Sequence, residues 1–161
     1  MSKAMMVNKD MGRGAGASAN TAYRNRDEIE RLVRAFEAGS LPKSEWTHRA
    51  HMTVALWYLI HCSGEEAARR IRLGIRRYNE AVRVENSRTG GYHETLTLFW
   101  VWVVGKYILS EGDARSTVDL INDCIGRHGD KDLPLRYYSR EVLMSWRARA
   151  SWVEPDLRPL D

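Results

Sequence analysis

Three of the five histidines in this chain, His48, His51 and His93, stand where two helices are expected to begin, and no other residues are better placed for chemistry. His48 and His51 are three residues apart, so on a helix their imidazoles lie one turn apart along one stripe. Neutral imidazole is the commonest ligand of first-row divalent metals, and an i, i+3 pair suits bidentate binding. His93 opens the most apolar stretch of the chain and is followed directly by Glu94. If His93 supplies a third nitrogen and one position stays open, the set describes a catalytic site for iron, manganese or zinc. Such a metal-dependent oxidoreductase or hydrolase would use Glu94 as fourth ligand, orienter or general base. Tyr138 would be a proton donor or substrate contact. Consecutive helical residues diverge by about 100°, so His93 and Glu94 share one ion only if the helix starts between them.

The same residues support a metal-free alternative. A histidine at a helix N-terminus is kept neutral and basic by the positive end of the helix dipole. His93 beside Glu94, with Tyr58, Tyr92, Tyr137 or Tyr138 as donor, would then run isomerase-, cyclase- or lyase-type acid–base chemistry on a small molecule. Trp46, Trp57 and Trp100, with Tyr58, Thr97 and Ser139, are the expected substrate contacts. The blander alternative is that such histidines only hydrogen-bond carbonyls or carboxylates. H-x-x-H arises easily, and His93-Glu94 lacks the second histidine of a zinc-protease motif.

Positioning these residues takes five to six helices. Ile29, Leu32, Val33 and Phe36 share one face of a first helix over 27–38, which Gly39 terminates. A second helix is expected over 45–62 with Ser44 as cap, carrying His48, His51, Ala55 and Tyr58 on one stripe. Ser63 and Glu66 form a capping box opening a third helix to 79. Its inner stripe is Ala68, Ile71, Ile75 and Tyr78. Thr89-Gly90-Gly91 is a loop, and 92–109 is apolar nearly all round, as a central helix must be. Ser116 and Asp119 open a helix to 126, and Ser139 caps a last one over 140–152. The fold class is all-α, a single-domain bundle around the central helix. Residues 1–24 lack any hydrophobic period and read as a flexible tail, leaving 25–161 as the helical domain.

Composition narrows the function classes. With 161 residues, 43% hydrophobic and 29% charged, the chain is an ordinary globular domain, and its six tryptophans imply aromatic anchors in the core. The longest apolar run is about half of the ~20 residues that span a bilayer. The start has no signal-peptide pattern, which reads as a cytoplasmic protein with Cys62 and Cys124 unpaired. No nucleotide-cofactor motif occurs, and a small-molecule substrate is the expected partner, with a homo-oligomer left open. Net charge is +4, concentrated in Arg69, Arg70, Arg72, Arg76, Arg77, Arg83 and Arg88. An arginine-rich module for nucleic acid or an anionic partner is the rival from another class. The absence of interleaved exposed aromatics counts against it.

Trp46-Thr47-His48-Arg49-Ala50-His51, Gly91-Tyr92-His93-Glu94-Thr95-Leu96-Thr97 and Leu135-Arg136-Tyr137-Tyr138-Ser139 together resemble a group of small bacterial all-helical proteins of unknown function. The resemblance runs from about Phe36 to Pro159. It implies that His48, His51, His93, Glu94, Thr97, Tyr138 and Ser139 are recurring polar positions, and it implies no particular reaction.

Overall fold

The apolar stretch after the glycine loop forms α4 (Glu94–Glu111), and the rest of the chain is arranged around it. The computed structural model describes residues 21–112 and 115–161. Ahead of α4 come α1 (Arg26–Glu37), α2 (His48–His61) and α3 (Gly64–Ala81); behind it come α5 (Thr117–His128), α6 (Arg140–Leu143) and α7 (Trp146–Ala150). Two short 3-10 turns, Lys43–Glu45 and Leu133–Arg136, complete an all-α arrangement, with no strand among the described residues.

α4 is apolar over most of its circumference because it separates two cores. One face meets α2, α3 and α5, where Leu56, Ile71, Val104 and Ile121 are buried with Ile29 and Phe36 of α1. The other face, through Phe99 and Val103, packs on Tyr138, Leu143, Ala148 and Val153 of the C-terminal segment. Each fully buried large apolar side chain contributes about 1.5–3 kcal/mol. A helix with a polar stripe would forfeit one of the two interfaces. None of the described helices is long and apolar enough to cross a membrane.

Several boundaries differ from expectation for local reasons. Residues 43–45 form a 3-10 turn after Pro42, so α2 starts at His48 and its cap is Thr47, whose Oγ1 accepts from Ala50 N–H at 3.3 Å. Ser63 caps α3 as expected, accepting from Glu66 N–H at 3.3 Å. Gly39 ends the first helix with φ +67°, and a Cβ there would lie 2.7 Å from that of Ala81. The single helix expected over 140–152 is two. Ser145 Oγ accepts from Ala148 N–H at 3.1 Å and restarts the chain as α7. Within the expected tail, residues 1–20 lie outside the described residues, but Tyr23 belongs to the fold. Its main chain exchanges two hydrogen bonds with the Asn122 amide (2.9 and 2.8 Å), and its hydroxyl meets Thr53 at 2.9 Å. Cys62 and Cys124 are free thiols, Cys124 fully buried.

Tyr138, expected to work at the site, is a core residue. It is 0% exposed, and its hydroxyl donates to the Val153 carbonyl at 3.0 Å. Burial pushes its pKa up to about 12. Tyr138→Phe leaves that carbonyl short of one donor. It is expected to lower stability by about 1 kcal/mol in urea denaturation while leaving ligand binding unchanged.

Candidate functional site

A cavity of about 310 Å³ lies between α2, α3, α4 and the 91–93 loop. His48, His51 and His93 all line it, together with Tyr92, Thr97 and Trp100. α3 supplies its apolar wall through Ile71 and Ile75, and Leu96 adds to it from α4. The volume is at the lower end of small-molecule sites, which run from about 300 to 1,000 Å³.

The three imidazoles are in different states. His93 does not enter α4 but caps it: its Nδ1 accepts from Leu96 N–H at 3.2 Å. A ring nitrogen that accepts carries no proton, so Nε2 bears the hydrogen and donates it to the Leu143 carbonyl at 2.8 Å. Both nitrogens are therefore committed, and burial lowers the ring's pKa. His51 lies one turn inside α2. Its Nδ1 meets the Thr47 carbonyl at 2.7 Å, and since a carbonyl only accepts, Nδ1 is the protonated nitrogen and Nε2 holds the lone pair. Its ring lies 3.8 Å from that of Trp46, centroid to centroid. Burial pulls its pKa down to about 4, partly offset by the Thr47 bond. His48 faces Trp100 at 4.5 Å, and its Nε2 is buried without a hydrogen-bond partner. Burial lowers its pKa too, against a main-chain hydrogen bond at Gly129 that favours the charged form.

Glu94 is the first helical residue, so the helix does start between His93 and Glu94, yet the two side chains go to different partners. Glu94 Oε1 accepts from Arg72 at 2.5 Å and Oε2 from the Tyr92 hydroxyl at 2.5 Å. With Glu94 only 9% exposed, removing either partner would leave a poorly compensated buried charge. Burial raises the Tyr92 pKa, with the Glu94 hydrogen bond adding to it, and the Arg76 guanidinium lies 4.4 Å over the Tyr92 ring. Gly91 holds φ +75°, and a Cβ there would come within 2.6 Å of the Glu85 carbonyl oxygen, so the loop lining the cavity needs glycine.

These arrangements do not fit the expected three-histidine metal set. His93 has no lone pair to offer, and Glu94 is held by Arg72 and Tyr92. Among the described residues no three His, Cys, Asp or Glu side chains gather as a ligand set.

Of the other expected contacts, Thr97 and Trp100 line the cavity, and Trp46 backs His51 from its far side. The Trp57 ring packs tilted against that of His61 at 4.1 Å, Tyr58 donates to Glu37 at 2.7 Å, and Ser139 Oγ caps α6; none of the three lines the cavity. Gly91, Leu96, Arg72 and Arg76 were not anticipated. Ile71 and Ile75 were legible as an inner stripe, but not as a cavity wall. Several arginines of the basic face have partners within the fold. Arg69 and Arg70 both bind Glu66, at 2.8 and 2.7 Å, Arg72 binds Glu94, and Arg76 covers Tyr92.

Compared with protein-family models, curated proteins and solved structures, the chain matches none.

Proposed function

We propose that this protein is a small-molecule enzyme that works by metal-free acid–base chemistry in the cavity between α2, α3 and α4. One observation carries the reading: the Thr47 carbonyl holds His51 as the Nδ1–H tautomer, which leaves the Nε2 lone pair of a cavity-lining ring as the available base. A general base must be unprotonated at working pH and must sit against its substrate. A pKa near 4 meets the first condition across the physiological range but weakens the base, so the proton it takes must come from an already acidic position of the substrate. It also makes the protonated ring a ready donor, so the proton taken from one atom of the substrate is returned to another. One bond to hydrogen breaks and one forms, as in an isomerase-type proton shift. The apolar wall of Ile71, Ile75 and Leu96, closed by Trp100, selects an apolar body. His93 acts as the fixed hinge between loop and helix.

The test is proton exchange. The protein is incubated in D2O with a panel of small uncharged ketones, enones and lactones, and deuterium incorporation is followed by mass spectrometry. The expected result is catalysed incorporation into at least one compound, abolished in His51→Phe. Compounds that bind in the cavity without exchange would reduce the site to a binding module.

A further inference from the structure

The cavity between α2, α3 and α4 has a neighbour. A second cavity of about 260 Å³ lies between the 43–46 turn, the end of α3 and the loop that follows it. His51, Ile75 and Gly91 line both. The Nδ1 of His51 is bonded to the Thr47 carbonyl, and its ring packs against Trp46. What the ring has left is its Nε2 edge, which has no hydrogen-bond partner among the described residues and, unlike that of His48, is not closed off from solvent. A base in a wall shared by two cavities meets the middle of a molecule that occupies both, not its end. Each cavity alone sits at the lower limit of small-molecule sites, about 300 Å³, and the two together fall well inside the usual range.

The two halves differ in what they offer a ligand. The first is walled by Ile71, Leu96 and Trp100 and suits an apolar body. The second is apolar along Tyr78, Val82 and Val84, but it also holds Lys43, the one charged side chain lining either cavity. The Lys43 ammonium makes no ion pair or hydrogen bond with a described residue. Glu45, on the same turn, acts on Tyr78 through its charge, yet no carboxylate side chain lines either cavity. The other polar groups of this half are spent within the fold: the Tyr78 hydroxyl donates to the Leu41 carbonyl at 2.9 Å, and the Asn79 amide donates to Asn86 at 3.0 Å. A ligand group placed there meets an unpaired cation and no anion, so an anionic group is its match.

Taking His51 as the base, we infer that the two cavities work as one site and that its substrate carries a carboxylate tail. An aromatic or alicyclic body fills the first half, an acidified C–H lies against His51, and the tail reaches Lys43 in the second half. The proton leaves carbon for Nε2 and is returned from it, so one C–H bond breaks and one bond to hydrogen forms. The carboxylate takes no part in that exchange; it fixes which carbon stands at the base.

Three compounds test this on the parent protein and on Lys43→Met. Benzoylacetone has a ring and an acidified CH2 but no tail. Extending its methyl group by a carboxymethyl group adds the tail, and the methyl ester of that acid removes the charge. Affinity is read by titration calorimetry at low salt, where an exposed ion pair is least screened. Position is read from the NMR methyl signals of Leu96, which lines only the first half, and Val84, which lines only the second. The acid is expected to bind about threefold more tightly than its ester, the size of preference an exposed ion pair supports, and to move both signals. In Lys43→Met its affinity falls to that of the ester, and benzoylacetone moves Leu96. An acid that binds no better than its ester, keeps its preference in Lys43→Met, or moves Leu96 without Val84 would overturn the inference while leaving the first cavity as the site. If no compound moves Leu96, the first cavity is not the ligand site, and the reading of His51 as base fails with it.

Discussion

Replacing His93 with alanine is expected to lower stability by about 3 kcal/mol, in contrast to the near-neutral effect of removing a ring that only meets substrate. Two losses combine. The cap of α4 is worth about 1 kcal/mol, because Leu96 N–H loses the ring nitrogen that satisfies it. The Leu143 carbonyl, in a residue only 1% exposed, loses its donor from Nε2, which costs about 1–3 kcal/mol. Because that second bond joins α4 to the C-terminal segment fifty residues away, the penalty falls on the contact that closes the second core. His93→Asn separates the parts. Asparagine is a strong N-cap and restores the first bond, but it is too short for the reach to Leu143, so an intermediate loss is expected. Urea denaturation at pH 7 reads all three proteins. A loss below about 1 kcal/mol in His93→Ala would return this ring to the list of catalytic candidates.

His93 also shows how far the sequence can be read. Its place at a helix start was legible, because an apolar run following a glycine loop marks a boundary. Its role depended on Leu143 lying opposite, and no local pattern places a carbonyl from fifty residues away. The same holds for Glu94, whose partner Arg72 lies on a face that periodicity assigns to solvent. His48 and His51 were readable as one stripe because a single helix carries both. The stripe of Ile71 and Ile75 was readable in the same way, but the cavity between the two stripes is a property of how α2, α3 and α4 pack. Tyr138 misled for a physical reason. A tyrosine in a polar block looks functional, whereas its hydroxyl only needs one main-chain acceptor to be buried whole, and Val153 provides it. The division of the last helix at Ser145 was within reach, since serine three residues ahead of Ala148 can cap a new turn; helix propensity on either side masked it.

Acidification is expected to destabilise the protein well above the pH where its carboxylates titrate, and His51 is the main cause. Its pKa is about 4 in the fold, against 6.5 for an unperturbed histidine. A folded pKa below the unfolded one means that the unfolded chain takes up the proton first. Above pH 6.5 neither state is charged and the ring contributes no pH dependence. As pH falls from 6.5 toward 4, stability drops by about 1.4 kcal/mol per unit, or roughly 3 kcal/mol across the window. His48 and His93 are shifted the same way and steepen the fall. Glu28, Glu30 and Glu66 have lowered pKa values and lose their contribution only below the ordinary carboxylate range, so pH 7 to 5 isolates the histidines. His51→Phe keeps a ring against Trp46, and the Thr47 carbonyl keeps the main-chain N–H of residue 51, which lies at 3.0 Å. This variant is expected to lose about 2 kcal/mol less than the parent between pH 7 and pH 5, measured by urea denaturation at each pH. An unchanged slope would show that His51 titrates normally in the fold. The same ring would then be largely protonated by pH 5.5, and its Nε2 would be a donor there rather than the lone pair that takes the substrate's proton. The pH dependence of stability and the polarity of the cavity are thus two readings of a single proton on Nδ1.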